Sequence, residues 1–218
     1  MPHPKKAEKK WENIWLFHKV FVTLHREREK ATLPITSERD SPFGELIKNN
    51  KVMGTRSCII IKVRREDIGK KRKFSEKALP ITLDEWVDIN SQGEVYCSQI
   101  GKDTTTPVEI KDQYIGIYCH WDGYPEGVGE ALKEKFTDYD SVLNLIVGGW
   151  CSFISLDKVR HYANRKGMEW DEIKPNQGKT QKEVLDNYSW LEYAYLFDEE
   201  RGGWLYKKFY AKSAFKKF

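Results

Sequence analysis

Apolar and polar positions change rhythm along this chain, and each rhythm predicts an element. Over Trp11–Lys30, apolar Trp11, Ile14, Trp15 and Val22 recur at three-to-four spacing before the charged run HREREK, which predicts a helix with a wide apolar arc. The segment VFVTL inside it also reads as a strand. Ser57–Arg65 (SCIIIKVRR) is β-branched and predicts a strand, and Gly93–Gln99 (GEVYCSQ) a second. Gln113–Trp121 (QYIGIYCHW) predicts a third. Its alternation puts Ile115, Ile117, Cys119 and Trp121 on a dry, core-facing side and Tyr114, Gly116, Tyr118 and His120 on the other.

Between these strands, Thr82 and Glu85 in TLDEW fit a capping box and predict a short helix over Leu83–Ile89. Val128–Phe136 predicts another helix, with Val128, Leu132 and Phe136 at four-residue spacing. A further helix is expected to open at Asp140 or Ser141, bury Val142, Leu145 and Ile146, and stop at Gly148-Gly149. WLEYAYLF and GGWLYKKFY flank DEERGG, which reads as a β-hairpin. Strands adjacent in sequence and joined by tight turns imply an α+β class with a mainly antiparallel sheet. The expected organisation is a basic α+β region over 1–110, a strand–helix–helix–hairpin domain over 111–210 and a basic tail over 211–218.

Composition adds that most of the chain folds, because aromatics reach 13% and disordered chains are poor in them. Cys58, Cys97, Cys119 and Cys151 are far apart and form no close pair, so a four-cysteine zinc site is a weak reading and reduced, buried thiols are expected. No metal or cofactor is expected. The apolar stretch Ile14–Leu24 is too short and too polar to span a bilayer, and no small-residue cleavage site follows it, so the expectation is a soluble, cytoplasmic protein without membrane contact.

Charge changes the picture more. The net charge of +4 divides into +10 over residues 1–78, −11 over 79–206 and +5 over KKFYAKSAFKKF. Such asymmetry fits a basic module for an acidic partner, a basic and an acidic part facing each other within one molecule or oligomer, or solvated lysines. The nucleic-acid contacts implied by the first reading are Lys62, Arg64, Arg65, Lys70, Lys71, Arg72 and Lys73, with Lys216 and Lys217 in the tail.

The chemistry-bearing stretch is YCHWDGYPEGVGEAL (Tyr118–Leu132). As an anion cradle it fails both glycine motifs for phosphate, and Glu126 and Glu130 at the helix start oppose an anion. As an acid–base or metal site it offers His120 and Asp122, two apart on one strand face, with His161, Asp138 or Glu126 as third ligands at no recognised spacing. Cys119 and His120 are neighbours on opposite faces, which opposes a thiolate pair. As structure, Asp122-Gly123 is turn chemistry, with Asp122 accepting an amide and Gly123 tolerating positive φ. As an aromatic binding surface it offers His120, Trp121, Asp122 and Tyr124.

IYCHWDGYPEGVGEAL, the helix YDSVLNLIVGG and the closing LEYAYLFDEERGGWLYKKF resemble uncharacterised small proteins encoded by bacteriophages and prophages. The resemblance covers about Gln113–Phe209, and GGWCSFIS stands where a more polar turn is expected. It implies a phage or mobile-element accessory protein in the cytoplasm of a bacterial host. The charge split, the aromatic excess and the lack of a coherent catalytic set then point to a non-enzymatic protein whose basic N-terminal region and exposed aromatics dock on a host protein or ribonucleoprotein, as an inhibitor of a defence system would. The other readings are nucleic-acid binding through Lys62–Lys73 and the tail, and small-ligand or hydrolytic chemistry through His120 and Asp122. Sequence alone leaves the oligomeric state open.

Overall fold

In the computed structural model, which describes residues 55–89, 95–97, 106–164, 168–188, 191–209 and 214–218, the β-branched run forms β1 (Ser57–Lys62). Its side chains are buried on both faces, Cys58 and Ile60 on one and Ile59 and Ile61 on the other. A strand covered on both sides requires a continuous apolar run, which is what CIII supplies.

The strands that follow are β2 (Lys71–Arg72), β3 (Thr82–Leu83), β4 (Val87–Ile89), β5 (Val95–Cys97), β6 (Val108–Glu109) and β7 (Tyr114–Cys119). Beyond them come α1 (Glu130–Lys135), α2 (Tyr139–Val147), β8 (Cys151–Ile154), β9 (Lys158–His161) and α3 (Trp170–Ile173). The chain continues with β10 (Asn176–Gly178), α4 (Gln181–Leu185), β11 (Tyr193–Asp198), β12 (Gly203–Lys208) and β13 (Lys216–Lys217).

Nine of these strands form one sheet, ordered β13-β12-β11-β1-β7-β8-β9-β3 with β10 also paired to β7. β2–β6 and β4–β5 are separate two-stranded ladders. The class is α+β. The large sheet is mixed: β1–β11, β7–β8 and β3–β9 run parallel and its other pairs antiparallel. Tight turns dictate antiparallel pairing only for consecutive strands, and each parallel pair joins strands distant in sequence.

β1 lies between β11 and β7, at the middle of a folded unit that runs Met53–Phe218. A boundary near residue 110 falls inside this unit.

One face of the sheet carries the larger core, in which Ile59, Ile61, Ile115, Ile117 and Tyr195 meet Val142, Leu145 and Ile146 of α2. On the opposite face, Cys58, Ile60, Ala194, Leu196 and Leu205 meet Val184 and Leu185 of α4 and Tyr188. The side of β7 expected to be the wetter one is therefore covered too. Gly116 permits this: a Cβ there would stand 2.9 Å from the Ile59 carbonyl oxygen and 2.9 Å from Val184 Cγ1. Tyr188 closes the layer by donating its hydroxyl proton to the Gly116 carbonyl at 3.2 Å.

Helix α2 begins at Tyr139, ahead of the expected Asp140 or Ser141, because Asp138 is the cap. Its carboxylate accepts from the Ser141 amide at 2.9 Å. The helix stops at the glycine pair, where Gly149 has φ +84°. The hairpin appears as β11 and β12, with Phe197 opposite Trp204.

Leu83–Ile89 is not a helix. Thr82 and Leu83 pair with Lys158 and Val159 of β9, and the Asp84 amide donates to the Val159 carbonyl at 2.7 Å. Asp84 then takes Arg160 and Lys158 as ion-pair partners, and Trp86 is buried with its indole N–H on the His161 carbonyl at 2.7 Å. A partner strand and a buried indole outweigh a local capping signal.

The helix or strand expected within Trp11–Lys30 lies outside the described residues, as do the flanks of β5 and residues 101–105 of the Gly101–Pro107 loop. Among the described residues, no helix is long and apolar enough to cross a membrane.

Candidate functional site

The stretch His120–Gly129 leaves the end of β7 and remains attached to β8. The His120 amide donates to the Cys151 carbonyl at 3.1 Å and the Trp121 amide to the Ser152 carbonyl at 2.9 Å. The chain then turns at Asp122, whose φ of +54° is the only positive value for a non-glycine residue among those described. Asp is one of the few side chains that tolerates this region.

The turn therefore differs from expectation, since Asp122 and not Gly123 takes the left-handed conformation. Gly123 is needed for space. A Cβ there would meet the Thr55 carbonyl oxygen and Ser57 Cβ, both at 2.8 Å. The Gly123 amide donates to Thr55 at 2.9 Å, and its carbonyl accepts from the Tyr195 hydroxyl at 2.9 Å.

From Pro125 to Gly129 the backbone makes one wide π-turn before α1. The Val128 amide donates to Asp122 at 2.8 Å, and the Gly127 and Gly129 amides donate to Tyr124 at 3.1 and 3.3 Å. A Cβ on Gly127 would lie 2.3 Å from the Asp122 carbonyl oxygen. The amides that an anion cradle would offer are thus consumed inside the turn, in keeping with the failed phosphate motifs.

The side chains divide into two groups. His120 Nδ1 lies 2.7 Å from the Tyr118 hydroxyl, and the Tyr118 ring packs on Trp150 at 5.1 Å and Tyr188 at 6.1 Å. The Trp121 ring stands edge-on to His120 at 4.8 Å. Asp122 instead bonds the Tyr124 hydroxyl. Burial raises the Asp122 carboxyl above its ordinary range and the Tyr124 bond pulls it part of the way back. Tyr124 is 38% exposed, one of three large apolar side chains so placed among the described residues. His120 and Asp122 thus each have a tyrosine partner, and the stretch holds an exposed Tyr124 and a half-buried Trp121 on a fixed backbone.

The third ligands considered for a metal go elsewhere. Asp138 caps α2 and His161 lies in the core. Among the described residues, no group of three His, Cys, Asp or Glu side chains is placed to hold a metal ion.

A cysteine–histidine pair does exist, in a place the sequence reading missed. Cys151 Sγ lies 3.4 Å from His161 Nδ1 across β8 and β9. The legible signal was CSFISLDKVRH, a hairpin centred on Leu156 with Cys151 and His161 equidistant from it.

The pair is not set up as a nucleophile. Burial pushes the Cys151 thiol well up, and burial holds the His161 imidazole down at about 4 against the Gly149 carbonyl that accepts from Nδ1. Both groups are neutral where a thiolate–imidazolium pair would need the opposite shifts. Cys119 is likewise pushed up to about 12 by burial.

The basic run is largely matched by the chain's own acids. Arg64 makes a two-point contact with Glu199, 2.7 Å at each nitrogen, and Lys62 pairs with Glu200 and, at 3.8 Å, Asp198. Lys70 and Arg72 converge on buried Asp67 at 3.1 and 2.7 Å. Among the described residues, Lys62 and Arg64 of the basic part thus meet Asp198, Glu199 and Glu200 of the acidic part, while Asp67 belongs to the basic part itself. Arg65 and Lys71 are exposed, as are Lys216 and Lys217 at the far edge of the sheet. The structure thus separates the tail lysines from the Lys62–Lys73 run.

No family model, curated protein or solved structure matches this chain.

Proposed function

We propose that this protein acts by binding another macromolecule, without catalysing a reaction, and that the contact is made by the His120–Tyr124 loop. The observation that supports this is the combination of a backbone pinned at both ends with an exposed Tyr124 and a half-buried Trp121 beside it. The Gly123 amide and carbonyl are tied to Thr55 and Tyr195, and the Asp122 carbonyl to Val128, while Tyr124 stays exposed. Tyr and Trp are the side chains that concentrate binding energy at protein interfaces, and a pre-ordered loop loses little entropy on docking. Resemblance to phage-encoded proteins over residues 113–209 supports a partner in a bacterial host, a protein or the protein part of a ribonucleoprotein, of the kind a defence system would supply.

Affinity capture from nuclease-treated bacterial lysate tests the proposal, run side by side on the native chain and on Trp121→Ala and Tyr124→Ala. The expected result is a partner retained by the native chain and lost from both variants while their thermal unfolding stays native-like. Undiminished capture of that partner by both variants overturns the assignment to this loop.

A further inference from the structure

We propose that the lysine–aromatic edge of the sheet, formed by β12, β13 and the start of β11, is a binding site for single-stranded nucleic acid. Strand alternation places Tyr193, Tyr206, Lys208, Lys216 and Phe218 on one face of this edge and Lys207, Phe209, Phe215 and Lys217 on the other. Lysines therefore emerge on both sides of the same sheet edge, and β13 itself is exposed.

These lysines differ in kind from those near β1. Lys62, Arg64, Lys70 and Arg72 are engaged by Glu200, Glu199 and Asp67. Among the described residues no carboxylate is within ion-pairing distance of Lys207, Lys216 or Lys217. Their neighbours are rings: Lys216 lies 4.9 Å from the Tyr206 centroid, and Lys207 lies 4.8 Å from Phe209 and 5.0 Å from Phe215. Lys208 sits 5.6 Å over Tyr193, and Lys133 of α1 sits 5.4 Å over Phe218. Burial lowers the Lys207 ammonium below its ordinary range, and the charge of Asp186, beyond ion-pairing distance, acts the other way.

Half-buried rings, each covered by a movable ammonium group, suit a ligand that carries phosphates and flat bases together. The lysine moves to a phosphate oxygen and a base takes its place over the ring. Tyr193 and Tyr206 are diagonal neighbours across the β11–β12 pair, about 7–8 Å apart, so each can meet its own base of an unstacked strand. A duplex hides those faces and offers only its phosphates. Four phosphates neutralised on a single strand give a salt slope of about −3, so affinity falls about 50-fold between roughly 50 and 200 mM salt.

The test is fluorescence anisotropy of the full chain with a labelled oligothymidylate of about a dozen nucleotides, a length within the site sizes such folds use. The expected result is binding at low salt with that 50-fold loss, at least tenfold weakening in Lys216→Glu/Lys217→Glu, and no change beyond twofold in Arg65→Glu/Lys71→Glu. All four positions are exposed, so both variants fold. Absence of binding at low salt, equal affinity for the matching duplex, or equal loss in the two double variants overturns the proposal. Trp121→Ala is expected to bind the oligonucleotide normally, so failure of the loop assignment and failure of this one are told apart.

Discussion

His161 makes the fold sensitive to mild acid, and the size of the effect follows from its surroundings. The side chain is 1% exposed between β8 and Gly148, with the Phe74 ring edge-on at 5.1 Å. The groups around it are the Cys151 thiol, the Gly149 carbonyl and apolar carbon, and the thiol is held neutral by burial. The imidazole titrates at about 4 in the fold, where an unfolded chain would titrate near 6.5. A lowered histidine favours the unfolded chain once that chain takes up a proton the folded one refuses. Stability is therefore lost as the pH falls from 6.5 towards 4. At about 1.4 kcal/mol per pKa unit, the loss is negligible at pH 7 and about 2 kcal/mol at pH 5.

His161→Asn isolates this quantity, because the Asn amide can still donate to the Gly149 carbonyl while carrying no proton equilibrium. Urea unfolding followed by tryptophan fluorescence, on native chain and variant at both pH values, reads it directly. The variant is less stable at pH 7 through lost packing, and its deficit is expected to shrink by about 2 kcal/mol at pH 5. Carboxylates held low in the fold, such as Asp67, Asp138 and Glu199, also destabilise it in acid, but equally in both proteins. Parallel loss of stability in native chain and variant across this range refutes the reasoning.

Two shorter predictions rest on neighbouring geometry. Gly127→Ala places a Cβ 2.3 Å from the Asp122 carbonyl oxygen. Backbone cannot yield as a side chain does, so thermal or urea unfolding should show a loss at or above the roughly 1–3 kcal/mol of ordinary overpacking. Cys58, Cys119 and Cys151 are fully buried with thiols raised by desolvation. They should resist a thiol reagent at neutral pH under native conditions and react promptly in denaturant. Fast native-state labelling of any of the three, located by mass spectrometry, would contradict the structure.

What was legible in the sequence was local. The β-branched CIII run, the alternation of QYIGIYC and the aromatic-rich segments on either side of DEERGG each carry a local strand signal, and each is a strand. What was not legible depends on partners far away in the chain. TLDEW carries a valid helix-start signal, yet β9 supplies a backbone ladder and the core a place for Trp86. The covered second face of β7 could not be foreseen from Tyr114, Gly116 and Tyr118, because the layer over it comes from α4 and Tyr188. At the site, the glycines of DGYPEGVG announced a tight junction. That Gly123 serves for space and not for a positive φ depended on the Thr55 carbonyl, which stands where a Cβ would be and comes from a segment far away in the chain.

The placement of β1 between β7 and β11 also sets a timetable for biosynthesis. Arg64, just past β1, meets Glu199, just past β11, and the two are 135 residues apart. A ribosome needs on the order of ten seconds to traverse that interval. During it the Ile59–Ile61 run has been made while its parallel neighbour has not. The central strand must wait, with its β11 edge unpaired, for the closing hairpin to leave the exit tunnel. Sheet completion is thus a late event, slow by the rule that distant pairings fold slowly. A nascent chain stalled before residue 193 would present CIII as an open edge for aggregation or for a chaperone.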